Sequence, residues 1–436
     1  MENKKQKIHF IGIGGIGVSA LARYFLAQKF EVSGSDVCDS PILTDLKKIG
    51  VKIFIGHKAK NLPEGVELVV YSAAAQADNP ELKEAKQRKI KCQTYAEALG
   101  DLTKTMWTIA VSGMHGKSTT TAMIGLMLEK AGLDPTVIVG AKIREWGNSN
   151  CRVGKSKYLV IEADEYNASF LNYWPKMLVL TNIEEEHLDY YTGGLPQIMK
   201  TFSEYVGHLP PAGEGTLIAN AQDKNIFKIV KKVKAKVVLY FYDGQSGLKI
   251  KVPGAHNLSN AAAALAVAKE LGITEKVALA ALGNFKGAWR RMEYRGQVSG
   301  AKIYDDYGHH PTEIKVTLAG ARELLKREGR LWCVFQPHQY QRTYKLFKQF
   351  LGAFEAADET ILLPIYSVAG REKETLKKKV SSEKLVKAIK SDKVKYAKSF
   401  NEAIKVLRKK LKKGDLAIIM GAGDIYKLTE QLIKRG

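Results

Sequence analysis

Two glycine-rich loops in the sequence could each hold a phosphate group. The first loop places Gly12, Gly14 and Gly17 in GxGxxG spacing, between the strand-like run KIHFI and a helix-like run that begins near Val18. Backbone amides in such a loop, together with the N-terminus of the following helix, bind pyrophosphate. Asp36 ends the next strand, where a Rossmann domain places the carboxylate that meets a ribose hydroxyl. Alone, this loop favours a nicotinamide-dependent oxidoreductase, although the same glycines also suit a tight turn that packs a helix on a sheet.

The second loop reads SGMHGKSTTT at residues 112–121, and it nearly matches the phosphate-binding loop of nucleotide hydrolases. Val111 stands where the strict motif has glycine. The backbone amides, a lysine for the β- and γ-phosphates and a hydroxyl for Mg²⁺ are all retained. The strand TMWTIAV precedes the loop and a helix that runs to about Ala131 follows it. We therefore predict that this loop binds ATP.

Acidic and polar residues end two of the predicted strands that follow the second loop. Carboxylate and amide oxygens are the ligands that Mg²⁺ prefers, and parallel sheets collect ligands at the carboxyl ends of their strands. A single acid at such a place is often a surface residue or a helix cap, and a solitary histidine is more often structural. The two groups are Glu162, Asp164 and Glu165, and Asn182, Glu186, His187 and Asp189.

Strand-like and helix-like runs alternate along the chain, as in KIHFIGI, SALARYFLAQKF and EVSGSD, which predicts parallel α/β units. The sequence has 436 residues, more than one hydrophobic core usually organises. We predict an α/β protein of three domains, with a Rossmann-like N-terminal domain, a P-loop-type central ATPase domain and a Rossmann-like C-terminal domain. Their predicted limits are residues 1–104, 105–294 and 295–436.

Composition narrows the setting in which the protein works. The apolar runs are too short to cross a bilayer, and no export signal opens the sequence, so we expect a cytoplasmic protein without a membrane partner. The 4 cysteines show no CxxC spacing, which fits reduced thiols better than a disulfide framework or a zinc site. The formal charge of +23 suits polyanionic partners, but the lysines are scattered and no nucleic-acid-binding module is present. A solvated basic surface is therefore favoured over binding of nucleic acid.

Nine sequence blocks together resemble the Mur ligase family, and the resemblance covers nearly the whole chain. The blocks occur in the family's order across all three predicted domains, which makes them far more specific than either glycine loop. They are GIGGIG, SGMHGKSTTT, EADEYNASF, TNIEEEHLD, PGAHNLSNAAAA, FKGAWRRME, YDDYGHHPTE, FQPHQYQRT and GAGDI.

This resemblance implies a ligase that uses ATP and Mg²⁺ to join L-alanine to the carboxylate of UDP-N-acetylmuramate, in peptidoglycan precursor synthesis. It assigns the UDP-sugar to the first domain, ATP to the second and the amino acid largely to the third, in a monomer or weak homodimer. The first loop then holds uridine diphosphate and not a dinucleotide. The implied substrate-binding residues are Gly14, Gly15, Gly17, Asp36, Ser72, Tyr307 and His338.

The resemblance also implies roles at the ATP and the reacting groups. Lys117, Glu162, His187, His309 and Arg342 are the implied catalytic residues, and Ser118, Glu162 and His187 the implied metal ligands. Arg342 matches a position that pairs with the alanine carboxylate, and Glu165 is a reserve metal ligand. The implied ATP-binding residues are Gly113, Met114, His115, Gly116, Lys117, Ser118, Thr119, His256, Asn257, Asn260, Arg291 and Asp305.

Some residues depart from the family pattern, and other functions compete. Glu186 replaces a usual aspartate, Gln339 replaces a usual arginine, and residues 220–253 look shorter than usual. The nearest alternative is the murein tripeptide ligase of the same family, which joins a preformed peptide to the same UDP-sugar. A nicotinamide-dependent oxidoreductase leaves Lys117 and the acidic strand ends unexplained, and a nucleic-acid-binding ATPase is suggested only by the charge.

Overall fold

The computed structural model describes residues 5–231, 233–244, 248–326, 328–367 and 374–434. The chain divides into two compact units. The first comprises Met1–Ile183, Met199–Phe241 and Ala263–Leu282, and the second comprises Glu184–Ile198, Tyr242–Ala262 and Gly283–Gly436. The described strands of the first unit form two sheets, and those of the second unit form a third.

The first sheet has the order β3-β2-β1-β4-β5, and its paired strands are all parallel. Its strands are β1 (Lys7–Ile11), β2 (Glu31–Asp36), β3 (Lys52–Ile55), β4 (Val66–Tyr71) and β5 (Lys91–Thr94). Its helices are α1 (Ile16–Ala27), α2 (Pro41–Lys48), α3 (Pro80–Gln87) and α4 (Tyr95–Thr105), with a 3-10 turn at Ala59–Asn61. Because β1 lies between β2 and β4, the loop after β1 is at a switch point of the sheet, where α/β folds bind ligands.

The second sheet has the order β12-β11-β10-β6-β9-β7-β8, in which β6 lies between β10 and β9. The edge strand β8 pairs antiparallel with β7, and the other described pairs are parallel. The strands are β6 (Trp107–Ser112), β7 (Thr136–Ile143), β8 (Ser149–Arg152), β9 (Tyr158–Glu162), β10 (Met177–Leu180), β11 (Thr216–Asn220) and β12 (Lys236–Tyr240). The loop after β6 therefore also opens at a switch point.

Helices and turns follow these strands along the chain. Helix α5 (Lys117–Lys130) begins directly after the second glycine loop, as predicted. The 3-10 segments are Arg144–Trp146 and Tyr166–Asn172, and the later helices are α6 (Leu195–Val206), α7 (Lys224–Val230), α8 (Ala255–Glu270) and α9 (Glu275–Asn284). In the segment 220–253, which looked short from the sequence, positions 232 and 245–247 lie outside the described residues.

The third sheet has the order β13-β14-β18-β15-β16-β17, with β13 antiparallel to β14. Its strands are β13 (Glu293–Val298), β14 (Ala301–Asp306), β15 (Leu331–Phe335), β16 (Glu359–Leu362), β17 (Val394–Tyr396) and β18 (Leu416–Met420). Its helices are α10 (Pro311–Glu323), α11 (Tyr340–Lys345), α12 (Phe347–Phe350), α13 (Glu374–Lys379), α14 (Ser382–Ile389), α15 (Phe400–Lys410) and α16 (Tyr426–Lys434). All residues of β15 and β18 are buried, as expected for central strands covered on both faces.

The predicted α/β class is confirmed by these sheets, whose pairs are mainly parallel. The predicted start of the third domain at residue 295 falls inside β13, which begins at Glu293. The exact domain limits therefore stay a prediction. Among the described residues, no helix combines the length and apolar character needed to cross a membrane.

The first two sheets are held together by close backbone contact and by buried amide hydrogen bonds. Asn150 Nδ2 donates to Ile16 O at 2.5 Å and to Ser19 Oγ at 2.9 Å, which ties β8 to α1. A Cβ atom built on Gly100, in the middle of α4, would lie only 2.4 Å from the backbone oxygen of Asn172. Glycine at position 100 is thus required by packing, although alanine is the better helix former.

We expect Gly100→Ala to lower the free energy of unfolding by about 1 to 3 kcal/mol, because the added methyl group forces the Asn172 backbone away. The measurement is urea denaturation followed by circular dichroism. The matched control is Gly283→Ala in α9, where the new Cβ would lie 3.6 Å from its nearest neighbour. The control should be neutral or stabilising by up to about 1 kcal/mol. Equal effects of the two changes would contradict the packing argument.

Candidate functional site

The first glycine loop is hydrogen-bonded to the end of β2. The amides of Gly12 and Ile13 both donate to the carbonyl oxygen of Ser35, at 2.8 and 3.0 Å. The next residue, Asp36, accepts a hydrogen bond from the Gly14 amide at 2.8 Å through Oδ2. A Cβ on Gly12 would lie 2.8 Å from the Cβ of Ser72. The structure thus brings the loop, Asp36 and Ser72 together at one sheet edge; their binding of a substrate stays a prediction.

Gly15 and Gly17 occupy the start of α1 and differ in their surroundings. Gly15 is the N-cap residue and carries no capping side chain, so the helix N-terminus is available to an anion. A Cβ on Gly17 would lie 2.9 Å from the ring of Tyr95, the first residue of α4. Gly17 therefore permits close packing of α1 against Tyr95. Close packing of this kind is the usual structural role of the third glycine in this motif.

The second glycine loop is clamped to the end of β10. Gly113 has φ +130°, and a Cβ there would lie 2.1 Å from Thr181 Oγ1. The amide of His115 donates to Asn182 Oδ1 at 2.9 Å, while Asn182 Nδ2 donates back to His115 O at 2.9 Å. Gly116 takes a left-handed conformation and is the N-cap of α5 without a capping side chain. The loop is thus rigid, and the first turn of α5 is open to a phosphate.

Lys117 is the charged centre of this loop. Its Nζ donates to Gly113 O at 2.6 Å, to Met114 O at 3.2 Å and to Glu165 Oε2 at 2.7 Å. Burial would lower the pKa of the ammonium group, but the nearby carboxylates of Glu165, Asp164 and Glu162 outweigh it, so the pKa is raised. Lys117 therefore keeps its positive charge beside the loop.

Oxygen ligands for a cation lie near the same sheet edge. Glu162 ends β9 and is aligned with Val111 of β6, the strand that leads into the loop. Its Oε1 accepts a hydrogen bond from the Gly140 amide at 2.7 Å. Ser118 and Thr119 are buried in the first turn of α5. His187 belongs to the second unit, so a metal ion shared by Glu162 and His187 stays a prediction.

In the second unit, Arg342 and Glu186 form a buried ion pair. Arg342 Nε donates to Glu186 Oε1 at 2.9 Å, and His310 Nε2 lies 3.8 Å from Glu186 Oε2. Burial would raise the pKa of Glu186, but Arg342 and neighbouring histidines hold it far below its usual range. This carboxylate therefore orients the arginine. Glutamate at position 186, in place of the usual aspartate, uses its longer side chain to pair with Arg342.

The predicted amino-acid-binding residues are close together in the second unit. Arg342 Nη1 lies 3.1 Å from His338 Nδ1, and the rings of His338 and His309 are 6.1 Å apart. The His309 ring is 5.6 Å from that of Tyr307. An open cleft adjoins Arg342, and its lining also includes His187 and Gln339.

His309 is a neutral base in this cluster. Burial lowers its pKa to about 4, although Glu313 acts in the opposite direction. The ring therefore carries no proton charge at neutral pH, and its Nδ1 lies 3.2 Å from the Tyr307 carbonyl oxygen. A neutral imidazole can accept a hydrogen bond from an amine.

The residues predicted near ATP from the third domain differ in accessibility. Arg291 is partly exposed and lies 3.7 Å from Glu313. Asp305 is buried, bonded by Arg295 at 2.8 Å and by Thr429, and burial raises its pKa to about 7. The Asp305 side chain thus makes its hydrogen bonds in the interior of its own unit in this structure.

The PGAHNLSN block forms the beginning of α8. Asn257 Nδ2 donates to Pro253 O at 2.7 Å, and Asn260 Nδ2 lies 3.5 Å from Asn257 Oδ1. Both amides are largely buried and are fixed by local bonds. His256 lies directly beside them, next to Gly254.

Sequence reasoning missed several supporting residues. Thr181 holds the second loop, and its only sequence signal was its place at the end of a strand. Asn182 was predicted as a possible metal ligand, but its hydrogen bonds hold the loop at His115. Arg290 is buried, with Trp289, Tyr307 and Tyr426 rings 5.0 to 5.7 Å from its guanidinium carbon. Nothing in the sequence distinguished it from its neighbour Arg291.

Three family descriptions match successive stretches of the chain. They are the Mur ligase family catalytic domain at residues 7–107, the Mur ligase middle domain at residues 111–247 and the Mur ligase glutamate ligase domain at residues 290–423. The three predicted α/β domains are thereby confirmed as an architecture.

Individual proteins give the same result. The chain is 40% identical to UDP-N-acetylmuramate–L-alanine ligase from Clostridium acetobutylicum, over 99% of this chain and 98% of that protein. It resembles the crystal structure of UDP-N-acetylmuramate-alanine ligase from Thermotoga maritima, with a TM-score of 0.82, 27% identity and 98% of each chain covered. A murein peptide ligase from Psychrobacter arcticus gives a TM-score of 0.75 at 26% identity, again over 98% of each chain. The chain therefore belongs to the Mur ligase family.

Proposed function

We propose that this protein is an ATP-dependent ligase that joins L-alanine to the carboxylate of UDP-N-acetylmuramate. The observation that carries the proposal is the pair of glycine loops of different design, on different sheets, of which only the second places a lysine among its backbone carbonyls. One enzyme with two such loops needs two phosphate-bearing substrates. The closely related alanine ligases, which share nearly the full length of the chain, supply the identity of those substrates.

The first loop holds the diphosphate of the UDP-sugar. The loop that contains Gly14 and Gly15 presents the N-terminus of α1 to the anion, while Asp36 and Ser72 border the loop. Gly17 contributes by letting α1 pack closely.

The second loop holds ATP. The loop at residues 113–117 and the first turn of α5, including Ser118 and Thr119, surround the phosphates, and Lys117 offsets their charge. His256, Asn257, Asn260 and Arg291 are proposed nucleotide contacts from the second unit. Asp305 is buried and bonded to Arg295 and Thr429, so we do not include it among these contacts.

The donor set also fits Mg²⁺, because a hydroxyl at Ser118 and a carboxylate at Glu162 are hard oxygen ligands near one sheet edge. We assign Ser118, Glu162 and His187 to this ion. When bound, Mg²⁺ would offset the negative charge of the phosphates.

The reaction has two chemical steps. The muramyl carboxylate attacks the γ-phosphorus of ATP, which yields an acyl phosphate and ADP. The amine of alanine then attacks the acyl carbon, and inorganic phosphate leaves. Lys117 stays cationic throughout and lowers the repulsion between carboxylate and triphosphate.

The alanine lies against the cluster of the second unit. Arg342, oriented by Glu186, pairs with the alanine carboxylate, and the neutral His309 accepts a hydrogen bond from the amine. The rings of Tyr307 and His338 lie 5.6 and 6.1 Å from the His309 ring, so both are placed beside the proposed position of the alanine. Neither the murein tripeptide ligase nor the nicotinamide-dependent oxidoreductase is favoured as an alternative.

We expect phosphate release from ATP and Mg²⁺ to require both UDP-N-acetylmuramate and L-alanine. Lys117→Ala should reduce the rate about a hundredfold or more, because the charge on the transferring phosphate loses its partner. Lys130→Ala, at the exposed far end of the same helix, is the matched control and should leave the rate unchanged. A coupled phosphate assay measures all three proteins.

The same assay, run with the tripeptide L-alanyl-D-glutamyl-diaminopimelate in place of alanine, separates the two family functions. Turnover with the tripeptide alone would move the assignment to peptide recycling. No turnover with either acceptor would contradict the proposed function.

The state of His309 predicts a pH dependence of stability. Its pKa of about 4 in the folded protein lies below the usual 6.5, so the unfolded chain binds more protons between these pH values. The free energy of unfolding of the wild type, minus that of His309→Gln, should therefore rise from pH 4 to pH 6.5 and then level off. This rise corresponds to a fall of up to about two orders of magnitude in the unfolding equilibrium constant of the wild type relative to that of His309→Gln. Urea denaturation at a series of pH values measures it, and a difference independent of pH would contradict a buried neutral His309.

A further inference from the structure

A fully buried carboxylate lies behind the first glycine loop. Glu81, near the start of α3, has no exposed surface. Its Oε1 accepts from Asn61 Nδ2 at 2.7 Å and from the Lys58 amide at 3.1 Å. Its Oε2 accepts from Ser35 Oγ at 2.5 Å and is 3.2 Å from His9 Nε2. Four donors from three separate chain segments thus converge on one side chain.

These donors keep Glu81 ionised. Burial would raise the pKa of the carboxyl group, but the hydrogen bonds from His9, Ser35 and Asn61 outweigh it, and the pKa is lowered. Such a buried anion is tolerated only with its donors in place, because an unmatched charge in the interior is costly. The network therefore fixes the positions of β1, β2 and the turn at residues 56–61 relative to α3.

Ser35 connects this network to the glycine loop. Its side chain bonds to Glu81 and lies 2.9 Å from His57 Nδ1. Its backbone oxygen accepts from the amides of Gly12 and Ile13. The next residue is Asp36, which bonds to the Gly14 amide. A shift of Ser35 would therefore move both the loop and Asp36.

A simpler explanation is that Glu81 only stabilises the first sheet. The two explanations differ because the hydrogen bonds of Ser35 run in two directions, to Glu81 through the side chain and to the loop through the backbone. Since Glu81 is fully buried, it acts on a ligand through its hydrogen-bond partners, and among these Ser35 is the one whose backbone also accepts from the loop amides of Gly12 and Ile13.

We propose that Glu81 is a positioning residue for the nucleotide-sugar site, which holds the glycine loop and Asp36 in binding geometry through Ser35. This inference rests on the proposed function for the identity of the sugar nucleotide. It does not depend on that function for the existence of a diphosphate site.

Glu81→Gln is the first test. The carboxamide keeps the shape, but its NH₂ group faces donors where the carboxylate accepted hydrogen bonds. We expect the KM for UDP-N-acetylmuramate to rise about tenfold, while kcat and the KM values for ATP and alanine stay within about twofold. Glu84→Gln is the matched control, since Glu84 lies on the same helix but, among the residues that the structure describes, pairs with Arg88 near the surface and not with the Ser35 network. It should leave every constant unchanged.

Ser35→Ala is the second test and a milder change, should Glu81→Gln fold poorly. It should raise the same KM, and the double variant should be little worse than either single variant, because both changes break one link. Additive effects of the two changes would overturn the proposal. So would an equal rise in all three KM values, or a lower melting temperature with no change in the KM for the sugar nucleotide.

Two measurements without turnover separate this proposal from the proposed function. Calorimetric titration with UDP should show about tenfold weaker binding to Glu81→Gln than to wild type. Hydrogen exchange should be faster at the amides of Gly12 and Ile13 and unchanged in α5. If the wild type fails to turn over UDP-N-acetylmuramate but these two results hold, the proposed function falls and the positioning role stands. Unchanged UDP binding together with unchanged exchange would overturn the positioning role itself.

Discussion

At Gly113 the backbone approaches Thr181 so closely that a Cβ atom would lie 2.1 Å from the hydroxyl oxygen. This contact lets Asn182 hold the loop after β6 from both sides of His115. The loop in turn sets the first turn of α5 and places Lys117 over two carbonyl oxygens and Glu165. The position of the Lys117 charge thus follows from one place where only glycine fits.

Buried charge is matched locally in each part of the proposed site. Glu165 faces Lys117 at the ATP loop, Arg342 faces Glu186 in the second unit, and polar donors surround Glu81 behind the first loop. Such pairs add little net stability, since desolvation offsets much of the attraction. The effect of these pairs is to orient the side chains that form them. Each pair holds a functional group in one direction before any substrate arrives.

Much of the fold could be predicted because its signals are local. The glycine spacing, the following helices and the apolar strands gave both switch-point loops, and Asp36 and Ser72 lie beside the first loop as predicted. The partners of buried side chains could not be predicted, because such partners are far apart in sequence. Glu186 and Arg342 are an example, since no helical or strand periodicity relates their positions. For the same reason the buried state of Asp305 and the packing of Gly17 on Tyr95 required the structure. The antiparallel pairing of β13 with β14 likewise could not be inferred from the amino-acid composition of the two strands.

The central claim is a division of work, in which the first loop binds the UDP-sugar and the second binds ATP. Calorimetric titration of Asp36→Ala and Lys117→Ala with UDP-N-acetylmuramate and with ADP tests it most directly. We expect a crossed pattern, in which Asp36→Ala weakens only UDP-N-acetylmuramate binding and Lys117→Ala weakens only ADP binding, each about tenfold or more. If either variant weakened both ligands equally, or if the pattern were reversed, the two loops would not serve separate substrates and the account would be wrong.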